Sequence, residues 1–153
     1  MLKSYRVTTL CGSTRFKDEF YRVAKELTLE GWICLYPSVF SHNDNDPLDK
    51  DTIRMLTNMH DLKIEMSDSI HVINKDGYIG KSTEREIIKA LCENREVYFM
   101  EFASYELKKS LADKAIATGK YYIPTQKLVQ AKKLGSNIDA TATCIFNLMH
   151  SSF

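Results

Sequence analysis

The stretch Ser69 to Ala90, SIHVINKDGYIGKSTEREIIKA, constrains this chain more than any other, because it reads as strand, loop and helix in direct succession. Ser69 to Asn74 is the short β-branched run of a buried strand, and DGYIG supplies glycines for a tight exit. Ser82 or Thr83 is suited to cap the helix that follows, which is expected to run to about Asn94. In a parallel α/β sheet, ligands sit beyond the carboxyl ends of the strands, where free amides at the next helix start face a crevice.

The rest of the chain repeats that unit. Tyr5 to Cys11 is a strand ended by Gly12, and Ser13 or Thr14 caps a helix reaching Glu30, with Phe16, Phe20, Val23, Ala24 and Leu27 along one face. Gly31 stops it and Trp32 to Tyr36 follows as a second strand. Pro37 opens SVFSHNDNDPLD, whose Asn, Asp and Pro content marks a loop long enough for a lid. From Asp49 the pattern is helical again, with Ile53, Leu56, His60 and Ile64 on one face. Glu96 to Met100 makes a fourth strand and Ala103 to Thr118 a helix closed by Gly119. From about residue 120 the chain is variable and mainly helical: YYIPT reads as a short edge strand, QKLVQAKKL as a helix and IDATATCIFNLMH as another. Alternating strands and helices with right-handed crossovers predict one domain over 1–153. Its fold is a three-layer α/β sandwich with a parallel, flavodoxin-like sheet of order 2-1-3-4 and a possible fifth edge strand.

Composition narrows the function classes. Twenty-one basic against twenty acidic side chains in 153 residues leave a formal charge of +1, so there is no electrostatic case for nucleic acid or membrane binding. No apolar run approaches the roughly eighteen residues of a membrane span, and MLKSYRVTTL is too short in its apolar part for a signal peptide. A cytoplasmic protein is expected. Cys11, Cys34, Cys92 and Cys144 are scattered without a CxxC pair, which suits reduced, buried side chains better than zinc ligands or disulfides, and no metal is expected.

Two helix starts converge on one crevice, the first carrying CGSTRF and the second DGYIGKST. Gly12 lets a backbone approach a ligand, Ser13 and Thr14 offer hydroxyls at a positive helix end, and Arg15 adds a planar charged fork, a set that suits a phosphate. The same residues also make an ordinary helix cap with a solvated arginine. From the second start, Asp76, Gly77, Gly80 and Ser82 are the candidate ligand contacts. GYIGKST is not an ATPase loop, since the position that needs a glycine holds Lys75. HNDND is not an EF-hand, since Pro47 and Leu48 stand where glycine and oxygen ligands belong. Thr83 to Glu86 reads both as a capping box and as a crevice carboxylate able to attack a sugar carbon, with His60 or Asp61 to protonate or orient the leaving group. Glu84 is assigned to solvent and the helix dipole. Phe40, His42 and Asn43 in the loop are candidate base contacts.

GSTRF after the first strand, an acid-rich helix before the third, and GYIGKSTEREIIKA together resemble the nucleoside 2-deoxyribosyltransferase superfamily, over roughly residues 5 to 100. The resemblance implies a flavodoxin-like fold, no cofactor, and a nucleophilic glutamate in an ExxxA pattern, here Glu86 with Ala90. It also implies a glycine-serine-arginine grip on a 5′-phosphate, here Gly12, Ser13 and Arg15. Where the family has a site Asp, counted back from Asp68, this chain has His60, with Asp61 one step and about 100° of helix away. The implied activity is cleavage or transfer at the N-glycosidic bond of a small (deoxy)nucleoside or its 5′-monophosphate. A non-catalytic nucleotide sensor using the same crevice is the rival reading. The family's subunit-completed sites, together with the apolar CIFNLM segment, imply a homodimer or larger assembly.

Overall fold

In a computed structural model of the chain, which describes residues 4–134 and 139–151, five parallel strands form one sheet in the order β2-β1-β3-β4-β5. These are β1 (Val7–Gly12), β2 (Ile33–Leu35), β3 (Ser69–Ile73), β4 (Glu96–Phe99) and β5 (Met149–Ser151). The first four follow the predicted 2-1-3-4 order, and helices on both faces complete a flavodoxin-like three-layer sandwich.

Alternation along the strands explains the layers. Leu10 and Ile73 point into one cluster with Phe20, Val23, Ala24 and Leu27 of α1 (Lys17–Leu29). Their neighbours Cys11 and Val72 point the opposite way. There they meet Ile64 of α3 (Lys50–Glu65), Ile87, Ala90 and Leu91 of α4 (Lys81–Cys92), and Leu111 and Ala115 of α5 (Tyr105–Ala117). The short α2 (Ser41–Asp44) interrupts the expected lid loop, and α6 (Thr125–Lys133) and α7 (Ala140–Phe146) follow α5. Gly12 is required by this packing rather than by a ligand: a Cβ there would lie 2.9 Å from both Ile73 Cβ and Ile73 O.

The fifth strand is not YYIPT. Tyr122 N–H donates to Cys92 O at the end of α4 instead of to a strand, and Pro124 opens α6, so that segment is spent on helix docking. The helix expected over IDATATCIFNLMH is limited to Ala140–Phe146, and Met149–Ser151 turns out to pair with β4; Ile138, at its expected start, lies outside the described residues. Ile145, Leu148 and Met149 are buried in the chain's own core, which removes CIFNLM as an assembly surface. Trp32 stands just before the three-residue β2, its ring edge-on to His71 at 5.2 Å.

That histidine sets a pH limit on the fold. His71 is buried, shares a 2.7 Å hydrogen bond with Thr8 Oγ1 and stacks on Tyr98 at 4.7 Å. Burial, with a smaller push from the Arg6 charge, lowers its pKa from 6.5 to about 4. Between those values the unfolded chain takes up a proton that the folded chain refuses, so stability is full above about pH 6.5 and is lost as pH falls toward 4. The loss reaches about 3 kcal/mol at most. Urea unfolding of wild type and His71→Phe at about pH 7 and about pH 4.5 checks this, with a flatter pH response expected in the variant. Equal responses would remove His71 as the cause.

Candidate active site

Residues from the end of β1 and the turn after it, from the segment that follows β3, from the 37–48 loop and from α3 and α4 enclose a crevice of about 900 Å³, within the usual size range of small-molecule sites. A depression of about 510 Å³ along α5 is lined by surface charges and brings no nucleophile and base together.

Glu86 sits at the crevice wall, only 8% exposed. The capping-box reading fails on geometry. The N-cap of α4 is Gly80, in extended conformation (φ −76°, ψ 169°), so the helix starts before Ser82 or Thr83 can cap it. Glu86 therefore lies in the second turn, bonded to no cap amide. Its Oε1 accepts a hydrogen bond from Ser82 Oγ at 3.4 Å, while Oε2 lies 3.6 Å from His60 Nε2. Ala90, one turn on, is fully buried and lets α4 pack closely on the sheet. Glu84 faces elsewhere and pairs with Lys114 of α5 at 2.8 Å, so it is not the free solvated residue that was expected.

His60 reaches the crevice from α3 and also lies 3.5 Å from Cys11 Sγ at the end of β1. Burial, and next the Glu86 charge, push the Cys11 thiol well above its ordinary range, so it carries its proton near neutrality. Asp61 turns off this face as the helical rotation requires and is held by Arg85 through two hydrogen bonds, 2.9 and 3.1 Å long. It does not line the crevice.

On the opposite rim, Ser13 caps a 3-10 turn (Thr14–Phe16) that precedes α1, its hydroxyl accepting from Arg15 N. Arg15 is exposed and is held only by neutral groups. Its Nε donates to Ser13 Oγ at 3.1 Å, its Nη2 to Tyr78 Oη at 3.2 Å, and its guanidinium lies 4.4 Å from the Tyr78 ring centre. No carboxylate pairs with it among the described residues. Thr14 Oγ1 is buried without a hydrogen-bond partner and belongs to the crevice lining. An arginine fork with no carboxylate partner at the rim of this crevice suits an anion.

Gly12, Ser13, Thr14, Arg15, Gly80, Ser82, His60 and Glu86 all line the crevice, whereas Asp76 and Gly77 do not. Asp76 adopts left-handed backbone (φ 54°) in an exposed turn, and Gly77 N–H donates to Asn74 O and toward Glu101, so both serve the turn. Phe40 is likewise not a base contact, being buried edge-on against Phe20 at 5.4 Å; Asn43 bonds Asp44, and only His42 of that trio lines the crevice.

No protein-family model, curated protein or solved structure matches this chain. Two residues of this region escaped the sequence: Tyr78, which lines the crevice, and Cys11, which is buried behind His60. Tyr78 gave one weak signal, an aromatic residue between the glycines of DGYIG; its hydroxyl would stand in tight contact, 3.2 Å, with a Cβ at Gly80. Cys11 gave none, because a cysteine at a strand end looks like any core residue.

Proposed function

We propose that this protein cleaves or transfers at the N-glycosidic bond of a (deoxy)nucleoside 5′-monophosphate through a glycosyl intermediate on Glu86. The observation that carries the reading is a buried carboxylate, freed from any capping role, 3.6 Å from a histidine and sharing its crevice with an arginine that lacks a carboxylate partner. The motif resemblance to nucleoside 2-deoxyribosyltransferases and to 2′-deoxynucleoside 5′-monophosphate N-glycosidases supports the same reading from the sequence.

In this mechanism Glu86 Oε2 attacks the anomeric carbon as the carbon–nitrogen bond breaks, and His60 passes a proton to the departing base. Water or a second base then attacks the same carbon, giving its proton to His60 as the carbon–oxygen bond to Glu86 breaks, so hydrolase and transferase differ in which acceptor enters. Ser82 steadies the carboxylate oxygen that does not react. The steps require no metal or organic cofactor. Arg15, with Ser13 and Thr14, takes the 5′-phosphate. The four cysteines are free, which fits the proposed cytoplasmic location, and no helix among the described residues is long and apolar enough to cross a membrane. Incubation with a panel of nucleosides and their monophosphates, followed by chromatography for free base, tests the activity. Tight binding without base release would instead support the nucleotide sensor.

Self-association remains part of the proposal, with its surface moved to α3. Met55, Met59 and Leu62, with Met66 just beyond the helix end, expose a stripe at helical spacing, and Met59 also lines the crevice. A second copy seated there would adjoin the site. Sedimentation velocity at micromolar concentration should show a dimer or larger species, shifted toward monomer by Leu62→Glu. A monomeric wild type would end this assignment.

A further inference from the structure

We infer that Cys11, His60 and Glu86 form a binding site for a thiophilic divalent ion of the zinc class, open to the crevice. The inference concerns regulation of the site and rests on the glycosidase reading only for its consequence. Three different elements deliver the ligands: the end of β1, the middle of α3 and the second turn of α4. Their ligand atoms all lie within 4.8 Å of one another. Cys11 Sγ stands 3.5 Å from His60 Nε2, which stands 3.6 Å from Glu86 Oε2.

Those separations match an ion's requirements. With a zinc–sulfur bond of about 2.3 Å and zinc–nitrogen or zinc–oxygen bonds of about 2.0–2.1 Å, ligands at the tetrahedral angle stand about 3.3–3.6 Å apart. The Cys11–His60 and His60–Glu86 edges of the triangle are therefore close to those of a filled site before any ion enters, and the third edge, within 4.8 Å, closes with a small side-chain movement. Nitrogen, sulfur and carboxylate oxygen are also the three ligand types that zinc takes. The second layer is present too, because Ser82 Oγ donates to Glu86 Oε1 and leaves Oε2 turned toward the triad. His60 and Glu86 line the crevice, so the fourth position would fall to water or a ligand, as in open zinc sites. Scattered cysteines hid this arrangement from the sequence, since its members are separated by tens of residues and only the β1–α3–α4 packing unites them.

On binding, the Cys11 S–H bond breaks, its proton leaves to solvent, and the sulfur electron pair forms the sulfur–metal bond; no oxidation occurs. The ion takes the Glu86 Oε2 lone pair that attack on a sugar requires, so it acts as a reversible inhibitor of base release.

Cobalt(II) added to the chelator-treated full chain is the probe. The expected result is a thiolate-to-cobalt charge-transfer band with the strong visible bands of a tetrahedral ion, both bleached by added zinc. Cys11→Ser should abolish the charge-transfer band, Cys34→Ser should keep it, and His60→Gln should weaken cobalt affinity roughly tenfold or more. Absence of the band in wild type, or its persistence in folded Cys11→Ser, overturns the site. Should Cys11→Ser fail to fold, unchanged cobalt affinity in His60→Gln overturns it equally. Base release by the chelator-treated protein tests the glycosidase reading separately, so each proposal can fail alone. If that activity is present, zinc at a concentration that saturates the cobalt-detected site should lower it at least tenfold, and undiminished release would overturn the inhibitory role.

Discussion

Glu86→Gln is expected to abolish base release, by on the order of 10³-fold or more, while leaving the melting temperature unchanged or raised. The two halves of this expectation have separate causes. An amide cannot form the glycosyl ester, so turnover goes with the nucleophile. Stability should survive because Glu86 caps nothing: Gly80 is the N-cap, and the only hydrogen bond the carboxylate accepts from its own helix comes from Ser82 Oγ, at 3.4 Å, which an amide oxygen can still accept. An amide of the same size brings no charge into a position that is only 8% exposed. Glu84→Gln is the control. It loses a surface ion pair with Lys114, about 0–1 kcal/mol, and should keep full activity. Base release and thermal melting of both variants on the best substrate decide the matter. A fully active Glu86→Gln enzyme would end the covalent mechanism.

Much of this architecture was legible because local signals agreed with tertiary demands. The β-α alternation, the glycine stops at Gly31 and Gly119, and the apolar face of α1 all lead to one parallel sheet, and the order β2-β1-β3-β4 follows from them. Reading failed where a local pattern had two physical uses. Thr83 to Glu86 has the spacing of a capping box, yet the helix begins at Lys81, because the chain reaches Gly80 already extended and needs no side-chain cap. YYIPT has strand composition, yet the Cys92 carbonyl claims its Tyr122 amide. Met149–Ser151 is a strand that three residues at the end of an apolar helix-like run cannot announce. The crevice lining was readable where a helix start after a strand announces it, as at Arg15 and Ser82. The Cys11–His60 contact was unreadable, because the two meet only across the β1–α3 packing.

The second large effect is expected at the phosphate end. Arg15→Ala should lower kcat/KM for a nucleoside 5′-monophosphate about ten- to hundredfold while changing the unphosphorylated nucleoside little. The magnitude follows from a charge-assisted hydrogen bond, about 1.5–3 kcal/mol, which converts to that range of rate ratios. Arg15 is prepared for the contact: Ser13 holds Nε, and Tyr78 supports the guanidinium with its ring face and accepts from Nη2, so less side-chain freedom is lost when phosphate binds. Two consequences separate this arrangement from a merely solvated charge. Arg15→Lys keeps the charge but neither the planar fork nor the stacking, so it should restore only part of the monophosphate preference. Tyr78→Phe keeps the ring and removes one hydrogen-bond acceptor, so it should fall between wild type and Arg15→Ala. Steady-state kinetics on matched nucleoside and monophosphate pairs measure the ratio directly. Equal losses on both substrates in Arg15→Ala would mean that the arginine shapes the crevice rather than reading the phosphate, and the substrate assignment would return to the free nucleoside.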